Sequence, residues 1–141
     1  MSQQSPIVLV IDDENIVQQY IVDMLRAMGY AACATADAEG ATHLVTSLPT
    51  LRVLLCDICL KRCSGPELIR EVLHQGPNLK VVFMTGGFSD VAFRSTDPVI
   101  TKPFRFEDLQ NVISAALRGS APLPEQPVPC ERRRWIRSRS G

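Results

Sequence analysis

Two hydrophobic rhythms alternate along this chain. Ile7–Ile11 is an unbroken apolar, β-branched run, the pattern of a strand covered on both faces. From Glu14 the period lengthens: Ile16, Val17, Tyr20, Ile21, Met24, Leu25 and Met28 fall on one helical stripe, and Gly29 supplies a stop. Tyr30–Thr35 reads as a weaker strand and Asp37–Leu48 as a weaker helix. Leu51–Cys56 is a second strong buried strand. Ser64-Gly-Pro-Glu67 reads as a helix start. Ser64 caps, Pro66 is tolerated in the first turn, and Glu67 completes a capping box. Leu68, Ile69, Val72 and Leu73 give that helix its apolar face. Val81–Met84 is a third buried strand. Pro98–Thr101 is a short one, with proline at its first residue, where a missing donor is tolerated. Phe106, Leu109, Val112, Ile113, Ala116 and Leu117 mark a final amphipathic helix.

The pattern amounts to five βα units. Buried parallel strands require helical crossovers, and such crossovers are right-handed. The expected fold is therefore α/β, a doubly wound five-stranded parallel sheet. Ligands of such sheets bind beyond the carboxyl ends of the strands, so the residues that follow each strand carry the most functional information.

Length and composition narrow this reading. At 141 residues, against roughly 150 per domain, one domain is expected. With 45% apolar and 21% charged residues, the composition is that of an ordinary globular protein. No apolar run reaches the length of a membrane span, and Met1–Pro6 has neither a basic region nor an apolar stretch typical of a secretory signal. The expected compartment is the cytoplasm. Charge divides the chain. Residues 1–118 carry 13 acids and 10 bases, whereas residues 119–141 carry 2 acids and 5 arginines. The first part is expected to be the folded domain. The second, with Pro122, Pro124, Pro127 and Pro129 ahead of Glu131–Ser140, reads as a flexible tail, Pro-rich and then Arg-rich. A slightly acidic core does not suit a nucleic-acid-binding face. Five cysteines, an odd number, argue for reduced thiols rather than a disulfide framework.

Asp12 and Asp13 follow the first strand, Asp57 the third, Thr85-Gly86-Gly87 the fourth and Lys102-Pro103 the fifth. Three clustered carboxylates repel one another and call for a cation. Oxygen ligands suit a hard ion, above all Mg²⁺, which takes one or two carboxylates together with phosphate oxygens. A hydroxyl and an ammonium across from them suit a phosphoryl group on the same ion. The residues alone point to a Mg²⁺-dependent phosphoryl site centred on Asp57. Taken singly, Asp12 and Asp13 read equally well as caps of the first helix.

The chain resembles the receiver domain of bacterial two-component response regulators, of the stand-alone, chemotaxis-regulator-like type. The resemblance rests on Val8-Leu-Val-Ile-Asp-Asp-Glu14, on Leu54-Leu-Cys-Asp-Ile58 with Gly65 eight positions past Asp57, on Val82-Phe-Met-Thr-Gly-Gly87, and on Ile100-Thr-Lys-Pro-Phe104. It implies a flavodoxin-like strand order 2-1-3-4-5. It implies that Asp57 accepts a phosphoryl group from the phosphohistidine of a sensor histidine kinase or a phosphotransfer protein. Asp13, Asp57 and the backbone carbonyl of Cys59 would ligate Mg²⁺, with Asp12 assisting, often through water. Lys102 would pair with a phosphoryl oxygen, and Thr85 would swing in to report it. The Lys102–Pro103 bond is expected to be cis. Such a domain is a timed switch rather than an enzyme, since it promotes only its own phosphorylation and dephosphorylation.

Departures from the family lie in the fourth unit. Val99 stands where an aromatic residue is usual, and Lys102 follows Thr85 by only 17 positions, so the fourth helix is expected to be short or irregular. Gly86 replaces a small side chain after the threonine, and Lys61 adds a cation four positions past Asp57. Residues 119–141 are too few to build a DNA-binding or enzymatic output domain, so output is expected through an unknown protein target, with a dimer left open.

Competing readings are a receiver-like interaction module that is never phosphorylated, and a phosphatase of the haloacid dehalogenase type. The latter needs a second aspartate two positions past the first, where this chain has Cys59. The Cys56-Asp-Ile-Cys59 pair with Cys63 is too sparse for a zinc site. Trp135 among arginines suits an acidic partner, a membrane surface or RNA.

Overall fold

The computed structural model describes residues 5–74, 78–86 and 97–118. Element order is β1 (Val8–Ile11), α1 (Asn15–Ala27), β2 (Ala32–Thr35), α2 (Ala38–Ser47), β3 (Val53–Asp57), α3 (Gly65–Leu73), β4 (Lys80–Thr85), β5 (Val99–Thr101) and α4 (Phe106–Leu117). The strands form one parallel sheet in the order β2-β1-β3-β4-β5, the doubly wound arrangement expected. Both the predicted short fourth helix, between Thr85 and Lys102, and the tail at 119–141 lie outside the described residues.

Alternation along each strand builds two cores. Val8, Val10, Val53, Leu55, Val82 and Met84 point to the face covered by α1 and α4. Leu9, Ile11, Leu54, Cys56, Val81 and Phe83 point to the face covered by α2 and α3. Because both faces are covered, β1 and β3 are buried throughout, which is why they read as unbroken apolar runs.

Helix ends follow the local chemistry. Ser64 Oγ accepts from Glu67 N at 3.2 Å while Glu67 Oε1 accepts from Ser64 N, so the capping box is present. Asp37 Oδ1 accepts from Gly40 N at 2.8 Å to cap α2. Gly29 has φ +98°, and Gly29 N donates to Arg26 O and Tyr30 N to Leu25 O, both at 2.9 Å. That is the left-handed helix stop a glycine permits.

The predicted stripe of α1 needs correction. Ile16 is 84% and Tyr20 58% exposed, while Ile21, Val22 and Leu25 are buried. At 100° per residue the buried face centres on Ile21 and Leu25 and reaches Val22 on one side and Val17 on the other. Ile16 then points well away from the sheet. Phe106 of α4 is likewise exposed at 40%, and that helix buries Leu109, Ile113 and Ala116 instead.

Candidate functional site

β1 and β3 are neighbours in the centre of the sheet, and Asp12 and Asp57 stand at their carboxyl ends. Both are buried, and they are the only buried charged residues among those described. A buried carboxylate needs a partner. Lys102, from the turn after β5, reaches across to provide it. Its Nζ donates to Asp12 Oδ2 and to Asp57 Oδ2, both at 3.0 Å. Lys102 N also donates to Thr85 O at 2.8 Å, so the lysine and the end of β4 are held side by side. The Lys102–Pro103 peptide is cis, as the resemblance implied.

The loop from β3 to α3 supplies further donors. Cys59 N donates to Asp57 Oδ1 at 3.1 Å, and Lys61 N donates to Asp13 Oδ2 at 2.6 Å. The loop is closed by an antiparallel bridge between Cys59 and Ser64, and Gly65 N donates to Ile58 O at 2.7 Å. Gly65 lies directly on the backbone of Asp57, where a Cβ would overlap the Asp57 carbonyl oxygen. On the other side Asp12 Oδ1 accepts from Glu14 N at 3.0 Å, and the Gln18 amide donates to Asp12 O. Asp12 thus accepts from Glu14 N with one oxygen and from Lys102 with the other, but Glu14 is the N-cap of α1 and no side chain caps that helix, so the capping reading of Asp12 and Asp13 does not hold.

Electrostatics follow from this geometry. Burial pushes the Asp57 carboxyl above the ordinary carboxylate value, against the lowering effects of Lys102 and the Cys59 N–H. Burial alone would lower the Lys102 ammonium, but its bonds to Asp12 and Asp57 and their charges outweigh it and hold the ammonium above the ordinary lysine value. Burial also raises the Cys56 thiol, followed by the neighbouring Asp57 charge. Cys56 is a fully buried core residue of β3 whose Sγ lies 3.4 Å from Asp57 O.

Asp12, Asp57 and Lys102 are therefore brought into contact, and Thr85 is placed beside Lys102. Asp13 is half-buried and turned to the Lys61 N–H. As placed, no group of three carboxylate, imidazole or thiolate side chains among the described residues is arranged to hold a metal ion. The donor chemistry nevertheless fits Mg²⁺. Asp12 and Asp57 present hard oxygens beside each other, Asp13 is the adjoining residue, and Mg²⁺ needs only one or two carboxylates with water and phosphate oxygens completing its shell. The roles of Cys59 N and Lys61 N in holding the carboxylates carry no side-chain signal, whereas the close approach of Gly65 to Asp57 was marked by its glycine. The Gln18 contact had no sequence signal either.

The doubly wound sheet thus carries paired acids at the ends of β1 and β3 and a lysine after β5 that bridges them. The family model of the response regulator receiver domain matches residues 8–114, and the chain belongs to that family. It is a signalling domain of two-component systems. The response regulator receiver protein CpdR of Brucella abortus is 32% identical over 116 residues, which covers 78% of this chain and 95% of CpdR. The two-component response regulator PhoP of Pseudomonas aeruginosa is 30% identical over 118 residues, covering 80% of this chain but 52% of PhoP. The chain thus spans about half of one relative and nearly all of the other. The crystal structure of a response regulator receiver domain protein from Clostridium thermocellum superposes with TM-score 0.68 at 26% identity, over 81% of this chain and 95% of that one. No helix among the described residues is long and apolar enough to cross a membrane.

Proposed function

We propose that Asp57 is the phosphoacceptor of a phosphorelay, taking its phosphoryl group from a histidine kinase or a phosphotransfer protein. The observation that carries this reading is the bridge of Lys102 Nζ to both Asp12 and Asp57 at 3.0 Å. A partly exposed cation stands against a nearly buried carboxylate, with Asp57 fixed from its other oxygen by the Cys59 N–H.

Phosphoryl transfer depends on positioning and charge stabilisation more than on covalent assistance. The Asp57 carboxylate attacks phosphorus, the bond from phosphorus to the donor nitrogen breaks, and an acyl phosphate forms. Lys102 exchanges its carboxylate partner for a phosphoryl oxygen. Cys59 N holds Oδ1 and so fixes the direction from which the carboxylate faces the donor. Thr85, beside Lys102 at the end of β4, donates its hydroxyl to a phosphoryl oxygen once the group is on Asp57. Mg²⁺, held by Asp12, Asp13, Asp57 and the Cys59 carbonyl, would offset carboxylate repulsion and draw negative charge from the transferring group. Hydrolysis of the acyl phosphate resets the domain. It catalyses only its own phosphorylation and dephosphorylation.

The donor is read as a protein because large apolar side chains are exposed around this rim. Ile16 lies in the first turn of α1, just past Asp12 and Asp13, and Phe106 opens α4 just past Lys102. A protein donor approaching the carboxyl ends of the strands would meet both side chains.

The test is intact mass after incubation with a small-molecule phosphodonor, with and without Mg²⁺, beside Asp57→Ala. One added phosphoryl group that requires both Mg²⁺ and Asp57 supports the reading. No gain from the small donor and none from any histidine-phosphorylated kinase leaves an interaction module instead.

A further inference from the structure

A cavity of about 330 Å³ opens beside the phosphoryl site, where the loops after β2 and β3 approach Asp13. Leu60 and Leu68 give it an apolar wall continuous with the core under α2 and α3. Three acids also line it, Asp13, Asp37 and Glu39, with Lys61 and Arg62 on the β3–α3 loop. Asp13 accepts from Lys61 N through Oδ2, and Asp37 accepts from Gly40 N through Oδ1. Among the described residues the other oxygen of each takes no hydrogen bond. Nor does any of the three acids form an ion pair there, the two bases included. An apolar cavity edged by unpaired carboxylates suits an aromatic side chain flanked by cations, the pairing of residue types that anchors most strongly at contact surfaces.

The chain carries such a segment. Glu131-Arg-Arg-Arg-Trp-Ile-Arg137 holds its single tryptophan between arginines, and Glu131 supplies the charge that suits Lys61 and Arg62. Reach is sufficient. Leu117 O accepts from the Arg52 guanidinium at 3.2 Å, and Arg52 directly precedes β3, so α4 ends at the amino-end rim of the sheet. The cavity lies at the opposite rim. The longest strand, β4, has six residues, a height of about 20 Å. Trp135 follows Arg118 by 17 positions, and at extended polyproline spacing these span about 50 Å. That leaves about 30 Å for passing from the α1/α4 side to the α2/α3 side. A tether of this length raises the local concentration of the segment to the order of millimolar, so a weak intrinsic affinity is enough.

We infer that Trp135 of the chain's own tail docks in this cavity, with the flanking arginines on Asp13, Asp37 and Glu39, and that the docked tail competes with Mg²⁺ for Asp13. The competition rests on the metal role given to Asp13 in the phosphoacceptor reading, whereas the docking does not. The tail then acts as a restraint on the phosphoryl site: it covers one side of the site until Mg²⁺ and a donor displace it.

Trp135 provides its own probe. In the full chain its emission should lie to the blue of N-acetyltryptophanamide, and acrylamide should quench it several-fold less. High salt should weaken the shielding, and so should saturating Mg²⁺. Glu39→Lys changes an exposed side chain, and changing Arg132, Arg133 and Arg134 together to Gln leaves the described domain untouched. Each should raise quenching toward the free value, and the glutamine variant should bind Mg²⁺ several-fold more tightly. Quenching equal to that of the free amide overturns the inference, as does shielding indifferent to both variants. Shielding that grows with protein concentration puts the tail on a second copy and overturns it too, and shielding unchanged by Mg²⁺ overturns the competition. Failure of Asp57 to take up a phosphoryl group would sink the phosphoacceptor reading, while the quenching data would still decide the docking.

Discussion

Gly65 lies against the carbonyl of Asp57, so close that a side chain at 65 would occupy the space of that oxygen. The first residue of α3 is thereby wedged under the candidate phosphoacceptor, and the position of the helix is tied to the position of the carboxylate. Gly65→Ala must push one of them away. Such overpacking against backbone is expected to cost about 2 kcal/mol, read as a lower denaturant midpoint, and to slow phosphoryl uptake. An alanine variant with unchanged midpoint and uptake would show that the contact is slack.

Asp57→Asn is expected to stabilise the unmodified, metal-free protein. Burial raises the Asp57 carboxyl in the folded state. A group with a raised folded pKa contributes stability that is fully present below the unfolded value and is lost as pH rises through the folded value. At neutral pH the ionised carboxylate therefore opposes folding, and asparagine removes that charge while keeping an acceptor for the Cys59 N–H. Thermal melts in chelator should show a higher midpoint for Asp57→Asn at pH 7, with the gain shrinking as pH falls into the carboxylate range. A gain that grows on acidification has the wrong sign for this account.

Lys102→Met leaves Asp12 and Asp57 facing each other without their shared cation. Lys102 is only partly buried, so solvent screens the loss, and the cost is placed at about 1–2 kcal/mol at pH 7. It should diminish in acid, where a carboxyl can take a proton. Urea titrations at several pH values give the trend, and a cost independent of pH would mean that the ion pairs matter little.

Ile16→Ala and Phe106→Ala separate docking from chemistry. Both side chains are exposed, so stability should change by about 0.5 kcal/mol or less. Uptake from a small-molecule phosphodonor should be unaffected, while transfer from a histidine-phosphorylated kinase slows. Equal slowing with both donors would place these residues in the chemistry rather than on the contact surface.

Much of this arrangement was legible in the sequence because it rests on side-chain identity. The runs at Ile7–Ile11 and Leu51–Cys56 read as buried strands since both faces are covered, and Ser64 with Glu67 and Gly29 mark helix ends through chemistry that few other residues supply. Asp12, Asp57 and Lys102 stood out because each follows a strand. The exposed positions of Ile16 and Tyr20 were not legible. A helix with an apolar contact residue outside its core face presents a broader stripe than the one it buries, and only the sheet decides where the centre lies. The donors on Asp57 and Asp13 come from the peptide groups of Cys59 and Lys61, which any residue carries. Val99 packs toward the α2/α3 face as a half-buried residue of β5.

The central claim is that phosphoryl transfer ends on Asp57. Borohydride reduction of the freshly phosphorylated chain converts an acyl-phosphate aspartate to homoserine, and peptide mass analysis locates it. The account predicts homoserine at position 57 alone, formed only when Mg²⁺ is present and absent from Lys102→Met at matched exposure times. Homoserine at Asp12 or Asp13, or a phosphoryl group that survives at 57 without Mg²⁺ or Lys102, would contradict it.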